Sequence, residues 1–203
     1  ELTSQLGVTF WNEEDDHPAD PGAWGRAVWA DNSKFFWIPD QYDLWQFDPT
    51  GAAEPFRVTE GVGRATKTTY NYTNPYFDPE ARGPMGGFGG GMQVKADKPA
   101  WFNTFNNVTK ERGYSMKDVT RRKARLQKMV EGPWSFGSLA VSAGKKGDVY
   151  IYTRGNFEDG NNVWLTADNF KTQKQMSDVN PQQRDYNWGT VELVAWTSED
   201  GKP

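Results

Sequence analysis

A serine hydroxyl becomes a nucleophile when a sharp turn presents it and an imidazole takes its proton. The chain has 1 His, His17, and it lies far upstream of Ser115 rather than after it. Ser115 sits in Gly113-Tyr-Ser115-Met-Lys117, the nearest approach to the elbow Gly-x-Ser-x-Gly, and the second Gly is missing. A nucleophile–base–acid triad therefore cannot be assembled from these residues. His17, between Asp16 and Pro18, reads as a solvated loop residue, because one imidazole without a second soft ligand makes a weak metal site. The run Glu13, Glu14, Asp15 and Asp16 offers carboxylates to a hard cation or a peptide amino terminus, but a charged run in a loop is ordinarily just hydrated. Asn156-Phe-Glu-Asp-Gly-Asn-Asn162 is oxygen-rich around a Gly, yet its spacing does not fit an EF-hand loop and reads as a turn between strands. The Gly-rich run ending at Met92 lacks the Gly-Lys-Ser/Thr of a phosphate loop. No catalytic, cofactor-binding or metal-binding residue is assigned, and no cofactor is expected.

The elements that would carry these side chains are short. Apolar residues make up 36% of the 203, aromatics 15%, with 10 Trp, so aromatic rings must supply much of the buried area. Pro and Gly, 12 and 21, punctuate short apolar runs, which favours many strands over long helices. Leu6 to Trp11 reads as a strand leading into a polar loop, Asn12 to Pro21. Then come strands at Trp24 to Ala30, Phe35 to Ile38, Asp43 to Phe47 and Pro55 to Thr59. Four short strands joined by tight turns make one up-and-down sheet.

The same order returns twice. Lys34-Phe-Phe-Trp-Ile, Ala100-Trp-Phe-Asn-Thr-Phe and Asp148-Val-Tyr-Ile-Tyr are equivalent strands. Each is followed by an alternating run ending in Asp: Tyr42 to Asp48, Arg112 to Asp118 and Asn162 to Asp168. Phe56 to Gly61, Leu126 to Gly132 and Lys174 to Asp178 complete the units. The expected fold is all-β, a partial β-propeller of roughly three four-stranded antiparallel blades plus flanking strands, with blade-like repeats at about 23–61, 94–132 and 134–179. A Gly/Pro-rich insertion, 75–92, separates the first two and reads as an elongated loop, the alternative being a mobile lid with Phe88 as a clamp. Phe36, Trp45, Val58, Phe102, Tyr150 and Trp164 are expected between sheets. Trp29, Trp37, Trp101 and Trp196 join them at strand positions, whereas Trp11, Trp24, Trp134 and Trp188 lie nearer strand ends, where they could face a ligand.

The net charge of −4 gives no basic field for phosphates, so nucleic acid is not an expected partner. Arg121, Arg122, Lys123 and Arg125 form one basic cluster, read as the solvated edge of a strand or its turn. With 0 Cys there is no disulfide framework or thiolate metal site, and no apolar run approaches the ~20 residues of a membrane span.

The segment 180–203 carries the strongest signal. Asn-Pro-Gln-Gln from Asn180, Tyr186-Asn-Trp-Gly-Thr-Val-Glu-Leu-Val and Trp196-Thr-Ser-Glu-Asp-Gly-Lys-Pro closely resemble the junction between β-propeller and α/β-hydrolase domain in bacterial secreted peptidases of the prolyl oligopeptidase family. More loosely the resemblance runs from about Trp11 onward, interrupted by the Gly-rich insertion. It implies a dipeptidyl-peptidase-like propeller that covers a serine-peptidase site, admits short peptides and contacts their termini, in a secreted or periplasmic protein. The implied partners are peptide substrates and the chain's own hydrolase domain, absent here. The sequence around Glu13 and Glu14 does not resemble the helical setting of the family's acidic pair, so that role is not carried over. Trp188 to Ser198 is expected to begin a further strand unit. A three-blade arc should expose an apolar sheet face at each end, which implies a homo-oligomer or another cover. Two alternatives stay open: a stand-alone glycan- or peptide-binding module with aromatics clustered on one face, and a structural interaction domain with its aromatics all buried.

Overall fold

The computed structural model describes residues 2–76, 93–121, 123–144 and 147–201. Most of the insertion, including Phe88, and Arg122 lie outside the described residues. Three four-stranded antiparallel sheets follow one another along the chain. The first contains β1 (Val28–Trp29), β2 (Phe36–Pro39), β3 (Leu44–Phe47) and β4 (Phe56–Arg57). A five-residue helix, α1 (Val62–Thr66), leads to the second: β5 (Thr68–Thr73), β6 (Ala100–Asn106), β7 (Arg112–Lys117) and β8 (Gln127–Gly132). The third has β9 (Ser135–Gly144), β10 (Gly147–Gly155), β11 (Asn162–Thr166) and β12 (Lys174–Gln175).

The fold class agrees with the sequence, and one boundary does not. The second unit begins at Thr68, not near residue 94, so the Gly/Pro-rich stretch falls inside the β5–β6 connection rather than between units. Thr-Thr-Tyr-Asn-Tyr-Thr is a strand of polar and aromatic residues whose alternation is muted. Leu6 to Trp11 forms no strand, only an isolated bridge between Trp11 and Ala23.

Each sheet uses both faces, because successive side chains point to opposite sides. In the first sheet the register sets Trp37 and Leu44 on one face, with Phe36, Trp45 and Phe47 on the other. Trp37 and Leu44, with Val58, pack against Tyr70, Tyr72, Ala100 and Phe102 of the second sheet. Trp37 meets Tyr72 edge-on at 5.4 Å between ring centroids. The opposite face of the second sheet presents Trp101 and Tyr114 to Leu139, Tyr150 and Tyr152 of the third, with Phe170 filling the centre. Trp164 packs there half-buried, whereas Trp29 and Trp196 are exposed, so the expectation that they pack between sheets is corrected for those two, and Phe36 and Trp45 are buried on the outer face of the first sheet rather than between sheets.

The two ends of the stack differ. Leu6, Val8 and Phe10 lie across Phe36, Trp45 and Phe47, so the chain covers the outer face of its own first sheet. Ile151, on the outer face of the third, is exposed. The expectation of two open end faces is therefore corrected at the N-terminal end.

Two polar devices recur with the sheets and explain the sequence repeat. At Asp40, Asn106 and Asn156 a side-chain oxygen accepts from two backbone N–H groups two and three residues on, closing the β2–β3, β6–β7 and β10–β11 turns. After β3, β7 and β11, Asp48, Asp118 and Asp168 accept from the hydroxyls of Thr50, Thr120 and Thr172. The Asp that ends each alternating run is thus a turn-closing residue.

Candidate functional site

The residues singled out for chemistry are brought into no common site. Ser115 is buried within β7. His17 is an exposed loop residue whose Nδ1 lies 2.6 Å from Asp15. Ligand atoms of Asp15, Asp16 and His17 approach within 4.8 Å of one another, but all three stand in solvent. Asn156 to Asn162 is the expected turn. Arg121 and Arg125 extend into solvent while reaching Asp118 and Glu60, the solvated edge anticipated for them.

What the structure does assemble is a charged and aromatic edge carrying the β2–β3, β6–β7 and β10–β11 turns. At the first turn Asp40 and Asp43 are fully buried. Asp40 accepts from Trp45 Nε1 at 2.7 Å and from Arg64 Nη2 at 3.1 Å. Asp43 accepts from Thr59 Oγ1 at 2.6 Å and from the N–H groups of Gly63 and Arg64, both at 3.1 Å, so it satisfies the otherwise unpaired start of α1. Gly63 is required at that approach, since a Cβ there would stand 2.3 Å from the Tyr42 carbonyl oxygen. Arg64 then reaches the acidic loop with a two-pronged contact to Glu13, 2.7 and 3.0 Å. The Tyr42 ring lies under both Arg64 and Lys67.

Sequence reasoning missed this cluster. Arg64 and Glu13 are 51 residues apart, and a five-residue helix gives no periodic pattern to read. The one local signal was Gly61 and Gly63 straddling a single residue just before the Arg.

The Arg64 guanidinium holds the Glu13 carboxyl below its ordinary value of 4.5, outweighing the burial that opposes it. A depressed folded-state pKa gives stability that is fully present above the unfolded value and lost as pH falls through the folded one. Glu13→Gln should therefore lower stability at neutral pH, with the difference from the parent shrinking as pH falls below 4.5. Urea denaturation across that range checks the sign; a difference that grows on acidification contradicts the assignment.

The edge continues through the second and third turns. The Lys67 carbonyl accepts from Asn107 N–H of the second turn at 2.8 Å. The second and third turns, together with Trp134, Val191 and Leu193, line one groove of about 470 Å³. The Asn180 segment begins as a 3-10 turn, Pro181–Asp185, and Gln183 Nε2 and Trp188 Nε1 donate to the carbonyls of Glu158 and Phe157 in the third turn. From Asn187 to Thr197 it has no regular secondary structure and no ladder partner, so the further strand unit expected at Trp188 to Ser198 is not formed. A strand without a neighbour has nowhere to place its backbone hydrogen bonds.

Comparison with family models, curated proteins and solved structures found no match to the chain. No described helix is long and apolar enough to cross a membrane.

Proposed function

We propose that the chain is the non-catalytic propeller portion of a serine peptidase of the prolyl oligopeptidase family, gating or positioning peptide substrates for a hydrolase domain outside it. The observation that carries this reading is one four-stranded unit occurring three times in succession, with the same turn-closing residues each time. The third unit leads directly into the segment whose residues resemble that family's domain junction. Gln183 and Trp188 anchor the start of that segment on the third turn, beside the groove. In this reading the edge carrying the three turns faces the hydrolase domain, and the protein is secreted or periplasmic.

Two measurements test the proposal. Purified chain should neither turn over chromogenic dipeptide and acyl-peptide substrates nor be labelled by a fluorophosphonate probe, because buried Ser115 has no imidazole beside it. Serine-dependent turnover would sink the non-catalytic assignment. Sequencing the transcript past the Pro203 codon should reveal Gly-x-Ser-x-Gly followed by Asp and His; a stop codon, or an unrelated domain, rules out the family reading.

A further inference from the structure

The groove between the second and third turns combines fixed cations with exposed apolar side chains. Lys110 and Arg112 stand side by side over one ring, Phe105, at 5.9 and 4.6 Å from its centroid. Neither has a carboxylate within ion-pair distance among the described residues, although the chain as a whole carries net charge −4. Lys110 Nζ is fixed instead by the Asn107 carbonyl at 2.6 Å. Beside these cations stand exposed apolar side chains, Phe157 at 52% and Val191 and Leu193 at 66% each. Apolar surface gathered around fixed charge marks an interaction site.

The walls are held in place before any ligand arrives. Trp134 is backed by the Arg154 guanidinium, 4.6 Å from its ring centroid, and Arg154 is itself stacked at 3.6 Å on Trp164. Phe157 lies 5.7 Å from Trp188 between ring centroids, and the Trp188 indole N–H donates to the Phe157 carbonyl at 2.8 Å. Val191 and Leu193 border the groove on a length of chain, 190–197, that has no regular secondary structure and makes no backbone hydrogen bond to another described residue. Its unpaired backbone N–H and C=O groups are open to hydrogen bonding by a bound peptide's main chain.

We infer that this groove binds the C-terminal end of a short peptide. The α-carboxylate meets Arg112 and Lys110, the last apolar side chain lies against Trp134 and Phe157, and the peptide backbone runs along Val191 to Leu193. A carboxylate next to an apolar side chain is what a peptide ending in Leu or Phe presents. Glu158, the one carboxylate of the lining, stands on the opposite turn and disfavours a ligand with several negative charges. The volume, about 470 Å³, is that of a small-ligand site rather than a protein interface. The inference stands on the groove alone and does not rest on the family reading.

Isothermal titration calorimetry of the full chain with acetyl-Ala-Leu-Phe tests it, the free acid against the C-terminal amide, at about 50 mM salt to limit screening. The free acid should bind saturably, and the amide about tenfold more weakly, as expected for loss of a charge-assisted hydrogen bond. Arg112→Gln should weaken the acid by a similar factor and leave the amide unchanged. Lys110→Gln, at an exposed turn position, gives the same comparison should Arg112→Gln perturb the strand. Equal affinity for acid and amide, indifference to both substitutions, or no saturable binding up to about 5 mM would each overturn the assignment.

Discussion

Trp101→Ala is expected to lower the free energy of unfolding by about 3–5 kcal/mol, the range for removing a fully buried large aromatic side chain. Trp101 is 1% exposed, paired across the ladder with Met116, and meets Tyr150 and Phe170 at 5.0 and 6.1 Å between ring centroids. Nothing nearby can fill the hole, because Phe170 is already committed to Tyr114, Tyr150 and Tyr152. The loss thus includes a cavity as well as the lost burial. Trp29, 45% exposed at the edge of the first sheet, is the internal control, and Trp29→Ala should cost well under half as much. Urea titration of both variants with the parent decides, and equal losses would mean that the second interface is no tighter than the surface.

Asp43→Ala should cost about 3 kcal/mol, through a different route. Its carboxylate is the acceptor for the Thr59 hydroxyl and for the first N–H groups of α1, and the residue is fully buried. Removing it leaves these donors without partners, and each buried orphan carries a penalty of ~1–3 kcal/mol, partly relieved by entering water. Asp43→Asn should lose much less. In the third sheet Asn162 already performs the equivalent task, accepting from Ser177 Oγ at 3.0 Å and Val179 N–H at 2.8 Å. If the Ala and Asn variants proved equally damaged, negative charge rather than hydrogen bonding would be what the site requires.

Strand positions were legible wherever alternation was strong and a turn residue closed the run. Leu44-Trp-Gln-Phe followed by Asp48, and Asn162-Val-Trp-Leu-Thr followed by Asp168, carry both signals. β5 carried neither, since its Thr, Asn and Tyr residues are neither plainly apolar nor plainly polar, yet four of its six positions are buried. Trp29 and Trp196 misled for the opposite reason: both are large and apolar, but the first sits on a two-residue edge strand and the second on a segment with no neighbour. The site was less legible than the fold. Glu13 was visible as a carboxylate, but its partner Arg64 is fixed only by the crossing of α1 over the first turn. The groove joins residues from the second turn, the third turn and the Asn180 segment, and no local spacing announces contacts that distant.

Every ladder between the described strands joins strands adjacent in sequence, and the isolated parallel bridge Ala30–Val94 exchanges no strand between sheets. Among the described residues the first and third sheets share no core cluster and each packs on the second, so the sheets form a short one-dimensional array. Hydrogen bonding within each sheet needs only local closure, so each can gain structure before it docks. Thermodynamic coupling then resides in the two inter-sheet interfaces, and amide-exchange protection should divide along them. Damage confined to the first sheet leaves the third protected, whereas loss of the second separates the array into two independently opening parts.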